Sequence, residues 1–350
     1  MKKTLIALAV LAVSGAAFAQ STATISGSIS VGVMDTGNAG GTAAVSTLGG
    51  GANAINIVTA EDLGGGLRGG FDSQMRFSAA TGDMNSSGTG SALLHGANVY
   101  LSGGFGTVRM GKIIEASNCG FDVWGCTGGA GMMAGHAATA GHASTSISAL
   151  VAAGTIANSV SYTTPTINGF SASYHTSMSV ASRINERSVL NLSYAKGPLS
   201  AQYIQRKNSA NTAANLVPSQ AVPAVFSNTS TPISDANGET TGIAVGYDFG
   251  VAKLNVFNAK TDKATTSGPT YAASNVDQDI TGFTASMPMG AYTLLAGYMK
   301  DKKAAATADT KIAAGVNYAL SKRTTLGADV FKSEAVNAGT GFVIRARHTF

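Results

Sequence analysis

Residues 66–77 read Gly66-Leu67-Arg68-Gly69-Gly70-Phe71-Asp72-Ser73-Gln74-Met75-Arg76-Phe77. Leu67, Phe71, Met75 and Phe77 share one parity with Gly69 and Ser73, while Arg68, Asp72, Gln74 and Arg76 share the other with Gly70. A strand points successive side chains to opposite faces, so the segment predicts one apolar face and one face carrying ionic and amide groups. The same alternation closes the chain, where Phe342, Ile344, Ala346, His348 and Phe350 interleave with Val343, Arg345, Arg347 and Thr349. It recurs between them, with Thr241, Ile243, Val245, Tyr247 and Phe249 on one face, Ile312, Ala314, Val316, Tyr318 and Leu320 on another, and Tyr292, Leu294, Ala296 and Tyr298 on a third.

The connections between such segments are of two kinds. Short turns fall at 61–66, 102–106, 164–169, 196–198, 248–250, 288–290 and 321–324, and longer stretches of polar or small residues fall at 34–52, 78–91, 114–157, 177–187, 207–238, 261–278, 301–309 and 334–340. Seven short and eight long connections join 16 strands, and their alternation puts every short turn at one end of the sheet. The first candidate strand, 23–33, and the last, 341–350, are then neighbours that close a ring.

Composition accounts for closure. Only 12% of the 350 residues are charged, about half the usual share, and the mean hydropathy is +0.16. Apart from residues 4–19, no apolar run is long enough for a transmembrane helix, which needs about 20 residues. Dispersed apolar residues on one strand face, with little charge anywhere, fit a sheet whose outer face meets lipid. Such a sheet cannot leave an edge unpaired in hydrocarbon, so it must close into a barrel. A secreted β-sandwich or solenoid is the competing architecture, and it calls for shorter strands and a more charged exterior. The expected fold is therefore all-β, a transmembrane 16-stranded antiparallel β-barrel, wide enough to leave an aqueous channel.

The apolar run explains itself. Met1-Lys2-Lys3, the following apolar residues and Ala17-Phe18-Ala19 have the three regions of a secretory signal peptide. This predicts residues 1–19 as signal peptide and 20–350 as the barrel. The formal charge, 23 minus 18 or +5, falls to +3 when Lys2 and Lys3 leave. The basic clusters Lys302-Lys303 and Lys322-Arg323 are isolated pairs, whereas a nucleic-acid partner calls for a dense basic face.

Several strings together resemble the general diffusion porins of Gram-negative outer membranes, of the β-proteobacterial type: Ala60-Glu61-Asp62-Leu63-Gly64-Gly65-Gly66-Leu67, Leu101-Ser102-Gly103-Gly104-Phe105-Gly106-Thr107-Val108, Gly197-Pro198-Leu199-Ser200, Tyr247-Asp248-Phe249-Gly250-Val251-Ala252-Lys253-Leu254, Tyr318-Ala319-Leu320-Ser321-Lys322-Arg323-Thr324 and the terminal Arg347-His348-Thr349-Phe350. The resemblance covers essentially the full length. It implies a homotrimer in the outer membrane, in contact with its lipid and lipopolysaccharide. It further implies a third extracellular loop folded inward to narrow each pore, and a terminal Phe350 read by the barrel assembly machinery. Two places depart from the family pattern. Basic residues often found there are replaced by Leu94-His95-Gly96-Ala97 and by Asn53-Ala54-Ile55-Asn56-Ile57-Val58.

Function in such a barrel lies in pore width and lining charge. By parity, Arg68, Arg76, Arg109, Arg206, Lys253, Lys311, Arg345 and Arg347 face the lumen against Asp72, Asp248 and Asp329. Eight against three predicts passive diffusion of small hydrophilic solutes and ions with weak anion preference. The constriction candidates are Arg68, Arg76, Arg109, Arg345 and Arg347, opposed by Glu115 and Asp122, the two charged residues of the 44-residue connection 114–157. Cys119 and Cys126 lie in that connection, and an oxidising compartment favours their disulfide. Closing so short a loop is worth roughly 2.5 kcal/mol. A metal site made with His136 and His142 is the alternative, but the spacing is not a zinc pattern. No cofactor is expected, and no enzyme activity, because His175 and His348 have no convergent serine and acid. A substrate-specific channel or an adhesin-like barrel is the alternative function. The former calls for inward aromatic residues, of which Tyr100 and Phe331 stand out as isolated cases.

Overall fold

A computed structural model describes residues 21–35, 37, 41–47, 53–83, 94–114, 121, 155–178, 185–210, 238–263, 278–302, 309–334 and 339–350. Its strands are β1 (Thr22–Asp35), β2 (Ala44–Thr47), β3 (Ala54–Gly64), β4 (Leu67–Arg76), β5 (Leu94–Gly103), β6 (Gly106–Ile114), β7 (Thr155–Thr163), β8 (Phe170–Ser177) and β9 (Asn185–Lys196). They continue with β10 (Leu199–Ala210), β11 (Gly238–Asp248), β12 (Lys253–Lys263), β13 (Gln278–Met289), β14 (Tyr292–Asp301), β15 (Asp309–Ala319), β16 (Thr324–Ser333) and β17 (Thr340–Thr349). Every pairing is antiparallel and each strand from β3 onward pairs with the next in sequence.

Seventeen segments make sixteen staves because β2 and β3 share one edge of β1. Thr22 to Ser28 pair with β3, and Val31 to Met34 pair with β2. Residues 34–52, expected from the sequence to be a plain connection, thus contain a strand segment. At the break the buried Asn53 side chain takes the place of the missing ladder: its Oδ1 accepts from the Ser30 backbone N–H at 2.5 Å, and its Nδ2 donates to the Ser30 carbonyl at 3.0 Å. The other edge of β1 pairs with β17 from Ser28↔Thr349 to Asp35↔Phe342. Gly27 and Phe350 then exchange two backbone hydrogen bonds of 3.0 Å. Among the described residues each of the sixteen staves thus pairs with a neighbour on both sides and the ring closes, as hydrocarbon requires.

The period-two pattern becomes an inside and an outside. On β11, Ile243, Val245 and Tyr247 are exposed while Thr240 and Ala244 are buried; on β12, Val256 is exposed while Asn255, Phe257 and Ala259 are buried. All seven short turns fall at one end, the periplasmic end in this architecture. Outward aromatic pairs gather there, with ring centroids 4.5 Å apart for Phe170 and Tyr194, 4.8 Å for Tyr247 and Phe249, and 4.7 Å for Tyr292 and Tyr318. Aromatic rings with a polar tip favour the membrane–water interface, so this girdle marks the inner boundary of the hydrocarbon.

The inward side is not uniformly polar. Val189, Ile204, Phe257, Ile280, Leu295, Met299 and Phe331 form one buried cluster with Ile156 and several alanines, and Phe121 belongs to it. Phe331 is therefore not isolated, contrary to the sequence reading. Parity alone hid the grouping because its members come from nine strands.

Candidate functional site

The more accessible stretch of inner wall is built by β3 to β6. Asn56, Asp72, Gln74, Asn98, Tyr100 and Arg109 come together there through the pairs Asn56↔Gln74, Asp72↔Asn98 and Tyr100↔Arg109. Arg109 NH1 donates to Asp72 Oδ2 at 3.1 Å and to Asn98 Oδ1 at 3.0 Å, and the guanidinium lies 5.1 Å from the Tyr100 ring centroid. The ring is itself held, since Tyr100 Oη donates to the Thr59 carbonyl at 2.9 Å. A side chain on Gly70 would meet that ring at 2.8 Å. Arg109 is thus a fixed, partly neutralised cation, its side chain 31% exposed and that of Asp72 35%.

Arg76, one turn of the ladder further out, is differently placed. Its Nε donates to Gln74 Oε1 at 2.7 Å, and Gln74 Nε2 donates in turn to Asn56 Oδ1 at 2.8 Å. Neutral amides position the guanidinium without cancelling its charge; among the described residues no carboxylate pairs with it. His95 lies within electrostatic reach of Arg76 and Lys112, and Lys112 Nζ donates to the Leu94 carbonyl at 3.0 Å. Two breaks in register bring this group together, between Gln74 and Met75 on β4 against β5, and between Gly111 and Ile113 on β6 against β7. Strict alternation passes over Lys112 for that reason; the glycine directly before it was the available signal, and in the structure Gly111 has a φ of 134°.

Arg345 faces the interior as predicted, but it is buried. Its NH2 donates to Asn317 Oδ1 at 2.6 Å and its NH1 pairs with Asp329, the two side chains being 2% and 0% exposed. The guanidinium occupies space that a side chain on Gly327 would fill, 2.5 Å from Cζ. Arg347, half-buried, sits beside it toward the periplasm, across from Ser30 and Thr325. Arg68 is exposed beside the 64–66 turn, in register with Asp62. Lys253 is in register with Asp248, and Arg206 and Lys311 are buried. The eight cations divide between a buried set and an accessible set. Glu115, Asp122, Cys119, Cys126, His136 and His142 lie outside the described residues.

A closed ring of antiparallel strands with short turns at one end and a charged inner wall has counterparts among known proteins. Residues 4–337 match the Gram-negative porin family. The chain belongs to that family. Outer membrane porin protein 32 of Delftia acidovorans is 29% identical over 344 residues, covering 93% of this porin and 88% of that protein. Among solved structures, an anion-selective porin from Comamonas acidovorans superposes with a TM-score of 0.65 at 21% identity, covering 95% of this porin and 100% of that chain. A loop L8 deletion mutant of the outer membrane protein OmpT of Vibrio cholerae gives 0.65 at 14% identity, covering 94% and 99%.

The porin forms a diffusion channel across the outer membrane. On the inner wall, Asp72 and Arg109 of β4 and β6 have side chains about one-third exposed, while Phe257 and Phe331 are each only 4% exposed. Inward aromatics buried to that degree offer a sliding sugar no stacking surface.

Proposed function

We propose that the porin admits small hydrophilic solutes and ions passively, with a weak preference for anions set on the β3–β6 wall. The observation that carries this reading is Arg76, held by amides with no paired carboxylate among the described residues and grouped with His95 and Lys112. The similar barrel from Comamonas acidovorans is itself anion-selective. In this reading Arg76 and Arg109 are the constriction cations. Arg68 acts at the periplasmic rim, where salt screens it within about 8 Å; Arg345 and Arg347 contribute mainly to the wall's structure.

The 114–157 connection folds into the barrel in this proposal. Support comes from Phe121, fully buried with its ring centroid 6.3 Å from that of Phe257 on the inner wall. Glu115 and Asp122 would then oppose the basic wall and set a transverse field, with the loop closed by a Cys119–Cys126 disulfide. Three chains assemble as a trimer among outer-membrane lipid and lipopolysaccharide. Cleavage follows Ala19, and the assembly machinery reads Phe350. No bond chemistry is assigned.

Reversal potentials across a KCl gradient in planar bilayers test the selectivity. A small potential of anion-selective sign is expected, and Arg76→Ala shifts the permeability ratio toward cations by about two- to threefold, the effect of one unit charge several ångströms from an ion in water. Cation selectivity of the unsubstituted protein overturns the reading. Saturable block of the current by a single sugar would establish a substrate-specific channel instead.

A further inference from the structure

The lipid-facing wall carries a depression of about 450 Å³ at the periplasmic ends of β8 to β11. Its lining is almost wholly apolar and includes Phe170, Ala172, Leu192, Tyr194, Ala201 and Tyr203. Register explains the concavity. Two outward rows run across the strands, Phe170↔Tyr194↔Ala201 and, one pleat deeper, Ala172↔Leu192↔Tyr203. Each row places one alanine among large side chains, and the two alanines lie diagonally, so the floor drops where they sit. Its volume falls within the range of small-ligand sites, about 300–1,000 Å³.

The mouth is built as deliberately as the floor. Ile167 and Phe170 exchange backbone hydrogen bonds of 2.8 and 2.9 Å around Asn168 and Gly169, whose φ values are 52° and 91°. This tight Asn-Gly hairpin sets Ile167, 65% exposed, beside the Phe170 ring. The Gly169 carbonyl accepts from Ala195 N–H at 2.9 Å, and a side chain on Gly169 would meet Lys196 Cβ at 3.0 Å. The hairpin is thereby docked on the end of β9. Lys196, exposed and on the same parity as Tyr194, is one pleat beyond it toward the periplasm, roughly 7 Å along the strand.

We propose that this depression binds one acyl chain of an anionic glycerophospholipid of the periplasmic leaflet, with Lys196 meeting its phosphate. The aromatic girdle fixes the depth. Phe170 and Tyr194 belong to it, so the depression lies in hydrocarbon and Lys196 at the level of the headgroups. A lysine there draws anionic lipid from the leaflet, while its stem stays along the apolar wall. An acyl chain fills the concavity with apolar contact that a flat wall does not offer.

Native mass spectrometry of the intact porin, released from detergent containing phosphatidylglycerol or phosphatidylcholine, reads the site directly. The unsubstituted protein is expected to retain one phosphatidylglycerol per chain. The double substitution Ala172→Phe with Ala201→Phe fills the floor and removes it, with conductance and heat-modifiable mobility confirming a folded barrel. Lys196→Gln keeps the lipid and lowers the preference for phosphatidylglycerol over phosphatidylcholine by about fivefold. Equal retention by the filled double variant, or an unchanged preference in Lys196→Gln, overturns the proposal. A benzoylphenylalanine at position 203, photolysed in whole outer membranes, separates the occupants: lipid adducts support it, and cross-links to a second porin chain overturn it.

Discussion

Arg345 and Arg76 show how the same residue type on the same face does different work. Arg345 is fully desolvated against Asp329 and Asn317, and a buried pair costs about as much to desolvate as it returns. Removing one partner alone is another matter. Asp329→Asn leaves an uncompensated buried guanidinium and is expected to cost about 3–5 kcal/mol, read as a lower urea midpoint for the refolded barrel; the pair replacement Asp329→Leu with Arg345→Met recovers most of the loss. Neither change moves ion selectivity, because neither charge reaches water. Arg109 and Asp72 are each about one-third exposed, so Arg109→Ala costs no more than about 1 kcal/mol while removing a pore cation. Asn53 is a third case, a side chain serving as backbone for β1. Asn53→Leu strands the N–H and C=O of Ser30 and should lower stability by about 1–3 kcal/mol per lost partner, measured by the same urea titration.

At the scale of the strand, the outer face is set by lipid and the inner face by water and packing, and substitutions should respect that division. Ile243 is outward, 52% exposed and midway along β11. Ile243→Arg puts a charge into hydrocarbon and is expected to destabilise the barrel by about 2–4 kcal/mol, whereas a lysine at the outward but headgroup-level Leu199 costs about 1 kcal/mol or less. Parallel urea titrations in lipid vesicles give both numbers; equal costs would mean that the membrane is not where the girdle places it. Bulges belong to this scale too. The breaks at Gln74/Met75 and Gly111/Ile113 re-aim the strand ends that carry His95 and Lys112, as bulges near barrel rims commonly do.

For the whole molecule, closure is the decisive event and it depends on the last residue. The Gly27–Phe350 pair supplies two backbone hydrogen bonds, and the Phe350 ring lies over Gly27, where a side chain would meet Cζ at 2.6 Å. Deleting Phe350 removes both bonds and the ring, whereas Phe350→Ala removes the ring and keeps both bonds. Both are expected to reduce the yield of heat-modifiable barrel in vitro. Equal refolding yields of the deletion and the intact chain would remove Phe350 from closure.

The strand count, the sites of the seven turns, the neighbouring of first and last strands and the face of each alternating arginine were legible in sequence, because period-two patterning and turn chemistry are local properties of the chain. Residues 34–52 concealed β2 because the pairing of Ala44 to Thr47 depends on β1 and on Asn53 bridging the break. Parity told which arginines point inward but not which remain charged toward water, since Arg345 meets Asp329 only after β16 and β17 have set their register. It likewise passed over Lys112, placed by a bulge, and the apolar inner cluster, assembled from strands far apart in sequence. The alanines at 172 and 201 are unremarkable in their own strands. Only the shared register of β8, β9 and β10 turns them into the floor of one depression, as a concavity is a relation between neighbours that no single strand contains.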